Sequence, residues 1–191
     1  MRVKITTPAA PLFGIHLLRE HVRVDAIDGS HPDDALLLRQ SEAGRAWAEH
    51  YAGRAIGEQS WEVAADGWAA LFALPLPGGD IASVAAVEGR DPTTGAWTLL
   101  APTAYYLDEY AVPMQLRQAP GAALPAVFKV SNSVRVRYII GKPVPADILA
   151  AILIVVGELY LNRETSSSIQ LYDVPLSAMH LLDPHRLEIG V

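Results

Sequence analysis

The sequence predicts an α+β fold in one domain: a helical bundle with an inserted antiparallel β region and an extended C-terminal segment. Three observations predict this fold. Apolar residues recur at helical spacing over residues 32–52. Apolar and charged residues alternate strictly over Val134–Tyr138, as in a half-buried strand. A nearly continuous apolar run follows Pro145. Nothing in the 191 residues divides the chain into two cores, so a single domain is expected.

The N-terminal quarter of the chain predicts an extended arm followed by two helices. Residues 1–13 show no apolar periodicity, so we expect an arm. A short helix is predicted over residues 14–24 and a longer one over residues 32–52. Gly53 is placed to end the longer helix, because glycine adopts the left-handed conformation of a helix C-terminus without a steric cost.

Residues 60–140 are expected to form the β region. Short apolar runs, among them Trp68–Leu74, are separated here by proline, glycine and aspartate, which is typical of strands joined by turns. Residues 91–95 predict a hairpin turn before a strand at 97–100. A further strand is expected within residues 127–140.

The last long helix is predicted over residues 145–163. It is apolar on almost every side, so it is expected either in the middle of the domain or against a neighbouring subunit. Its most apolar stretch, Ile148–Val156, is nine residues long. A bilayer requires about 20 residues, so we predict a buried helix and no membrane contact. Residues 165–168 have the composition of a linker, and a short helix is predicted over Pro175–Leu182.

The charge balance argues against a nucleic-acid-binding protein. The net charge is −6, whereas phosphate binding depends on clustered lysine and arginine. The most basic stretch, residues 129–142, contains Arg135 and Arg137 on one strand face, and we interpret it as a solvated face. The sequence contains no cysteine, which excludes disulfides, thiol nucleophiles and cysteine zinc sites.

No combination of residues in the sequence predicts an active site. Nucleotide-binding loops and the hydrolase nucleophile motif are absent. His31 lies near several aspartates that could bind a divalent metal, but Asp33 and Asp34 also suit the start of a helix, which is our interpretation. Glu158 falls in the apolar helix, where an unpaired carboxylate is costly. We expect a salt bridge, with Arg163 or another arginine, or a contact between subunits; a proton-handling role is the alternative. No enzyme activity, metal or cofactor is predicted.

An ordered set of short motifs extends from Leu17 to Arg186. In chain order they are Leu18–Asp25, Asp33–Leu36, Tyr51–Ala55, Gln59–Glu62, Leu74–Pro77, Ile81–Val84, Ala119–Gly121, Asn132–Val136 and Asn162–Glu164. The set resembles the HK97-type head–tail connector, or adaptor, family of tailed phages, which also occurs in prophages and gene transfer agents. Two positions depart from the family pattern: Leu124 replaces a tryptophan, and Glu158–Leu159 replaces His-Trp.

The resemblance implies a structural role in virion assembly. About 12 copies would form a ring beneath the portal protein, extend the DNA channel and dock a stopper or tail-side neck protein. DNA would pass without specific binding, and assembly would take place in the bacterial cytoplasm. The alternatives are another ring component of the neck, such as a stopper or tail terminator, or a small metal-dependent enzyme.

The resemblance also implies a connector domain over residues 14–164 and a linker with a portal-binding segment over residues 165–191. A tethered segment gains affinity when many copies bind one ring. The alternative is a tail folded on its own domain. The candidate portal-binding residues are Pro175, Leu176, Met179, Leu181, Leu182, Pro184 and Arg186. The candidates for subunit contacts are Glu158, Arg163 and Arg54.

Overall fold

A computed structural model describes residues 2–141, 143–162 and 175–187. The predicted linker at 165–168 and Arg163 lie outside these residues. The elements, in chain order, are β1 (Arg2–Thr7), α1 (Ile15–Val22), α2 (Asp34–Ala52), β2 (Gln59–Ala65), α3 (Trp68–Ala73), β3 (Ile81–Arg90), β4 (Trp97–Leu99), a 3₁₀ turn (Pro102–Ala104), β5 (Tyr105–Asp108), β6 (Gln115–Gln118), β7 (Val134–Ile140), α4 (Ala146–Leu161), α5 (Leu176–Leu182) and a second 3₁₀ turn (Asp183–His185). The predicted α+β class is confirmed.

The chain forms two compact units, whereas the sequence predicts one domain. Among the described residues, the sheet unit contains residues 2–9, 57–141 and 187. The helical unit contains residues 10–56, 143–162 and 175–186. The two parts of the helical unit are far apart in sequence, because the β region separates them. A division into two cores therefore leaves no local signal in the sequence.

The sheet unit is built around an antiparallel five-stranded sheet with the order β1-β2-β7-β3-β4. The central strand β7 buries every second side chain, from Val134 to Ile140, as its sequence alternation predicts. Residues 2–7 were expected to lie in an arm but form the edge strand β1, in which Lys4 lies opposite Glu62 of β2. Strands β5 and β6 form a separate two-stranded sheet.

The apolar run at Trp68–Leu74 was grouped with the strands, but it forms the helix α3. Trp68, Leu71 and Phe72 are buried at positions i, i+3 and i+4, which is the spacing of one helix face. The Trp68 indole N–H donates to the carbonyl of Pro125 at 2.8 Å. A run this short fits a strand and a helix equally well, so its periodicity could not separate them.

The helical unit is packed around α4. Ala151, Ile152 and Val156 of this helix are among the core residues that α1, α2 and α5 cover. Gly44 of α2 permits the close approach of the two longest helices, because a Cβ atom there would lie 3.3 Å from Cγ2 of Ile152. The opposite side of α4 is less buried than its composition predicts, and Leu161 at its end is exposed.

An ion pair joins α1 to the start of α2. Arg19 is buried, and its Nε donates to Oδ1 of Asp34 at 2.7 Å while its Nη2 contacts Oδ2. The same Nη2 donates to the carbonyl of Gly29 at 3.2 Å, and the N–H of His31 donates to Asp34 at 3.0 Å. The Arg19 hydrogen bond is the main cause that lowers the pKa of Asp34 to about 2, from 3.8.

Asp34→Asn is expected to remove a pH-dependent part of the stability. Because the folded-state pKa of Asp34 is lowered, its contribution is complete above the unfolded pKa and is lost as the pH falls from 3.8 to about 2. Urea denaturation followed by circular dichroism should therefore show a large difference in the free energy of unfolding between wild type and variant near neutral pH. This difference should shrink across the pH window. Asp25→Asn changes an exposed carboxylate and serves as the control. A difference in the free energy of unfolding that stays constant down to a pH of about 2 would contradict the role of the ion pair.

Candidate functional site

The candidate portal-binding residues lie in a segment that packs on the helical unit. We call residues 175–186 the C-terminal segment. Its helix α5 buries Ala178 and Leu182 completely, and both belong to the core around α4. Leu176, in contrast, is 71% exposed. The segment therefore has an inner face fixed by the core and an outer face available to a partner.

Polar contacts fasten the end of the C-terminal segment, and we call them the clasp. The Tyr51 hydroxyl of α2 donates to Oδ1 of Asp183 at 2.6 Å. Nε2 of His185 lies 2.6 Å from Oδ2 of Asp147, in the first turn of α4. The guanidinium of Arg186 lies 5.0 Å from the centre of the Tyr51 ring, within the range of a cation–π contact. Two helices and the segment are thus held together at one place.

The clasp shifts the titration of two of its members. The hydrogen bond to Asp183 raises the pKa of Tyr51 above its usual value, because the carboxylate favours the protonated phenol. The hydrogen bond to His185 is the main cause that lowers the pKa of Asp147. The carboxylate of Asp147 therefore stays ionised, as an acceptor for the imidazole, to a lower pH than an ordinary aspartate.

The predicted portal residues differ in their availability. Leu176, Pro184 and Arg186 are exposed, and Leu182 is buried. Leu182 could reach a partner only if the segment left the helical unit. The remaining three candidates, all half-buried, are Pro175, Met179 and Leu181. In the single chain, the C-terminal segment packs on the helical unit. This matches the alternative drawn from the sequence, a tail folded on its own domain.

Sequence reasoning did not find Tyr51, Asp147 and His185 as partners of this segment. Tyr51 precedes Asp183 by 132 positions, and Asp147 precedes His185 by 38. Tyr51 falls within the apolar periodicity of residues 32–52, and Asp147 looks like an ordinary acid in a first helical turn. No spacing rule links such positions, and only the packing of α5 brings them together.

The structure describes two of the three candidates for subunit contacts, Glu158 and Arg54. Glu158 is exposed near the end of α4, where it accepts a hydrogen bond from the side chain of Asn162, so burial does not penalise its charge. Within the described ranges no ion pair to Glu158 occurs, and the salt bridge expected with Arg163 falls outside them. Arg54 is half-buried just after α2, and its backbone N–H donates to Glu49. Arg163 lies outside the described residues.

The arginines of β7 are paired with carboxylates on the neighbouring strands. Arg135 contacts Glu88 of β3 at 2.7 Å and Glu62 of β2 at 3.1 Å. Arg137 also contacts Glu88, at 3.2 Å. The Trp97 ring stacks under Arg135 at 4.2 Å. These contacts neutralise the two arginines of the strand. Arg137 is exposed, as a solvated face predicts, whereas Arg135 and Glu88 are largely covered.

The acidic residues near His31 serve the helical unit. Asp34 is paired with Arg19, and Asp33 accepts a hydrogen bond from the Tyr160 hydroxyl at 2.8 Å. Across the described ranges, no three or more histidines, cysteines, aspartates or glutamates are grouped so that they could hold a metal ion. Within the same ranges, no helix has the length and apolar character needed to cross a membrane.

Comparison with known proteins gives a likeness of fold. No family model matches the sequence, and no curated protein is similar to it. A chain in the virion of a native gene transfer agent (GTA) particle has a TM-score of 0.78 and 21% identity. Chains in the neck of an empty GTA particle, computed with C6 symmetry, and of a native one, computed with C12 symmetry, have TM-scores of 0.75 and 0.76, each at 20% identity. Each likeness covers 100% of this chain and 98% of the other. At this identity, what is shared is the fold.

His185→Ala is expected to loosen the C-terminal segment without unfolding the helical unit, because the clasp lies outside the core. Hydrogen–deuterium exchange of α5 amides should accelerate by about fivefold, the effect of losing a partly exposed ion pair. His180→Ala is the matched control, since the His180 side chain is 76% exposed and 3.8 Å from Asp183. Equal exchange rates of the α5 amides in the His185→Ala and His180→Ala variants would show that the clasp does not hold the segment.

Proposed function

We propose that this chain is a structural protein of the neck of a tailed phage or gene transfer agent particle. The observation that carries the proposal is the full-length likeness of fold to chains of GTA particles, two of them from neck structures. The ordered motifs in the sequence support the same assignment independently, because they resemble the head–tail connector family.

Within the neck we propose the adaptor role, in a ring of about 12 copies beneath the portal protein. The neighbour's C12 symmetry supports a ring. The ring would extend the DNA channel and dock a stopper or tail-side protein, and assembly would take place in the bacterial cytoplasm.

We propose that the C-terminal segment contributes the contact with the portal. Its outer face presents Leu176, Pro184 and Arg186, while its inner face is held by the core and the clasp. A short segment repeated in every copy of a ring binds a symmetric partner with high avidity even when each contact is weak. The neck role itself does not depend on this assignment.

Electron microscopy of particles from cells that lack this gene tests the neck role. We expect DNA-filled heads to accumulate beside free tails, because the part that joins them is missing. Complementation with the wild-type gene should restore tailed particles. Intact tailed particles in the deletion strain would refute the proposal.

Leu176→Asp tests the portal contact without disturbing the core, because this side chain is exposed and truncation of the segment would uncover Leu182. We expect normal thermal unfolding and a loss of co-sedimentation with heads that carry the portal and lack other neck proteins. Leu99→Asp, an equally exposed leucine on β4, is the control and should bind normally. Normal co-sedimentation of both variants would place the portal contact elsewhere.

A further inference from the structure

The hairpin formed by β5 and β6 ends in an exposed apolar loop. We call residues 109–113 the β5–β6 tip. Tyr110 is 99% exposed and Val112 is 74% exposed. Exposed tyrosines of this kind are typical anchors of protein interfaces, because the ring offers a large contact area at a small loss of side-chain entropy.

The base of the tip is firmly attached to the sheet unit. The carbonyl of Met114 accepts a hydrogen bond from the N–H of Leu76 at 2.9 Å. Leu116 of β6 is completely buried, and Asp108 pairs with Arg117 across the hairpin at 3.6 Å. The loop is therefore presented on a fixed support.

The sheet unit also carries an open cleft of about 390 Å³, which we call the 127–133 cleft. Phe128 and Val130 line it and are exposed. Hydrogen bonds fix its wall: Phe128 donates its N–H to Arg90 at 2.9 Å, and Asn132 donates its N–H to Oδ1 of Asp66 at 2.6 Å. The complete lining is Asp66, Val127, Phe128, Lys129, Val130, Ser131 and Ser133.

The tip and the cleft lie near opposite ends of β3. The Sδ atom of Met114, next to the tip, accepts the N–H of Ile81, the first residue of this strand. Phe128, in the cleft, is bonded to Arg90, the last residue of the strand. Ten residues at about 3.3 Å each separate the two ends by ~30 Å. The tip of one chain therefore cannot enter the cleft of the same chain.

The charges of the two surfaces are complementary. Glu109 precedes Tyr110 in the tip, and Lys129 lies between Phe128 and Val130 in the cleft. Both charges are exposed, and neither has an ion-pair partner among the residues that the structure describes. Asp66 also lines the cleft, but its carboxylate is already engaged by Asn132. Opposite free charges beside two apolar surfaces favour a defined docking orientation.

We propose that the β5–β6 tip of one copy inserts Tyr110 into the 127–133 cleft of a second copy, with Glu109 beside Lys129. The two surfaces differ, so the contact is heterologous. Each copy binds one neighbour through its tip and the other neighbour through its cleft. Such a contact repeats from copy to copy and closes into a ring when the rotation between neighbours divides a full turn. The proposal rests on the ring of the proposed function and names the surfaces that build it.

Disulfide trapping tests the contact on a clean background, because the chain contains no cysteine. Full-length Tyr110→Cys protein is mixed with full-length Val130→Cys protein under oxidising conditions, and heterodimers are measured on non-reducing gels. We expect heterodimers in several-fold excess over a matched pair, Tyr106→Cys with Val130→Cys. Tyr106 is an exposed residue of the same hairpin that lies outside the tip. Equal yields from the two pairs would overturn the proposal.

Charge reversal in the cysteine variants tests the orientation. Glu109→Lys in the tip protein, or Lys129→Glu in the cleft protein, should each lower the heterodimer yield, and the two together should restore it. All the substituted side chains are exposed, so circular dichroism should show an unchanged fold. Heterodimer yields that are unchanged by both single reversals, or that do not recover when the two reversals are combined, would contradict the pairing of Glu109 with Lys129.

Failure of this inference is distinguishable from failure of the proposed function. Untethered heads and tails in the deletion strain, together with no specific trapping, would retain the neck role and reject the tip-to-cleft contact. Specific trapping together with intact tailed particles in that strain would retain the contact between copies and reject the neck role.

Discussion

Burial of α4 is the constraint on which the helical unit depends. The helix offers almost no polar side chain over four turns, and α1, α2 and α5 reach it from two separate parts of the chain. Gly44 lets α2 approach closely enough to cover Ile152, and the buried side of α5 completes the cover. The strand β7, which precedes α4 by a few residues, is in turn the central strand of the sheet. One continuous stretch of chain therefore supplies the centre of both units.

The pairing of charges on the sheet explains why a basic stretch exists without forming a phosphate-binding surface. Arg135 is shared between Glu62 and Glu88, and Trp97 covers its guanidinium. Cross-strand pairs of this kind stabilise the register of neighbouring strands by modest amounts each, and a network of them adds specificity. The arginines of β7 are therefore part of the sheet, and the net charge of the chain stays acidic.

The parts of the fold that were predicted carry a local signal in the sequence: α1, α2, α4, α5 and β7 from their apolar patterns, and the hairpin of β3 and β4 from its turn residues. The rest depends on contacts between distant residues. β1 has no local signal of its own and is ordered by pairing with β2. The apolar run of α3 is too short for its periodicity to distinguish a helix from a strand. The C-terminal segment was identified as a candidate site, but its clasp was not, because His185 and Asp147 become neighbours only when α5 packs on α4.

The two proposed contacts lie in different units, which gives each unit a separate task. The tip and the cleft belong to the sheet unit, where β3 holds them apart, so the proposed contact would pass between copies. The C-terminal segment belongs to the helical unit, where the core holds its inner face and leaves Leu176 outward. A ring contact must be strong enough to close the ring, whereas a portal contact repeated in every copy can be individually weak. A large aromatic anchor with a paired charge suits the first task, and a single exposed leucine on a short helix suits the second.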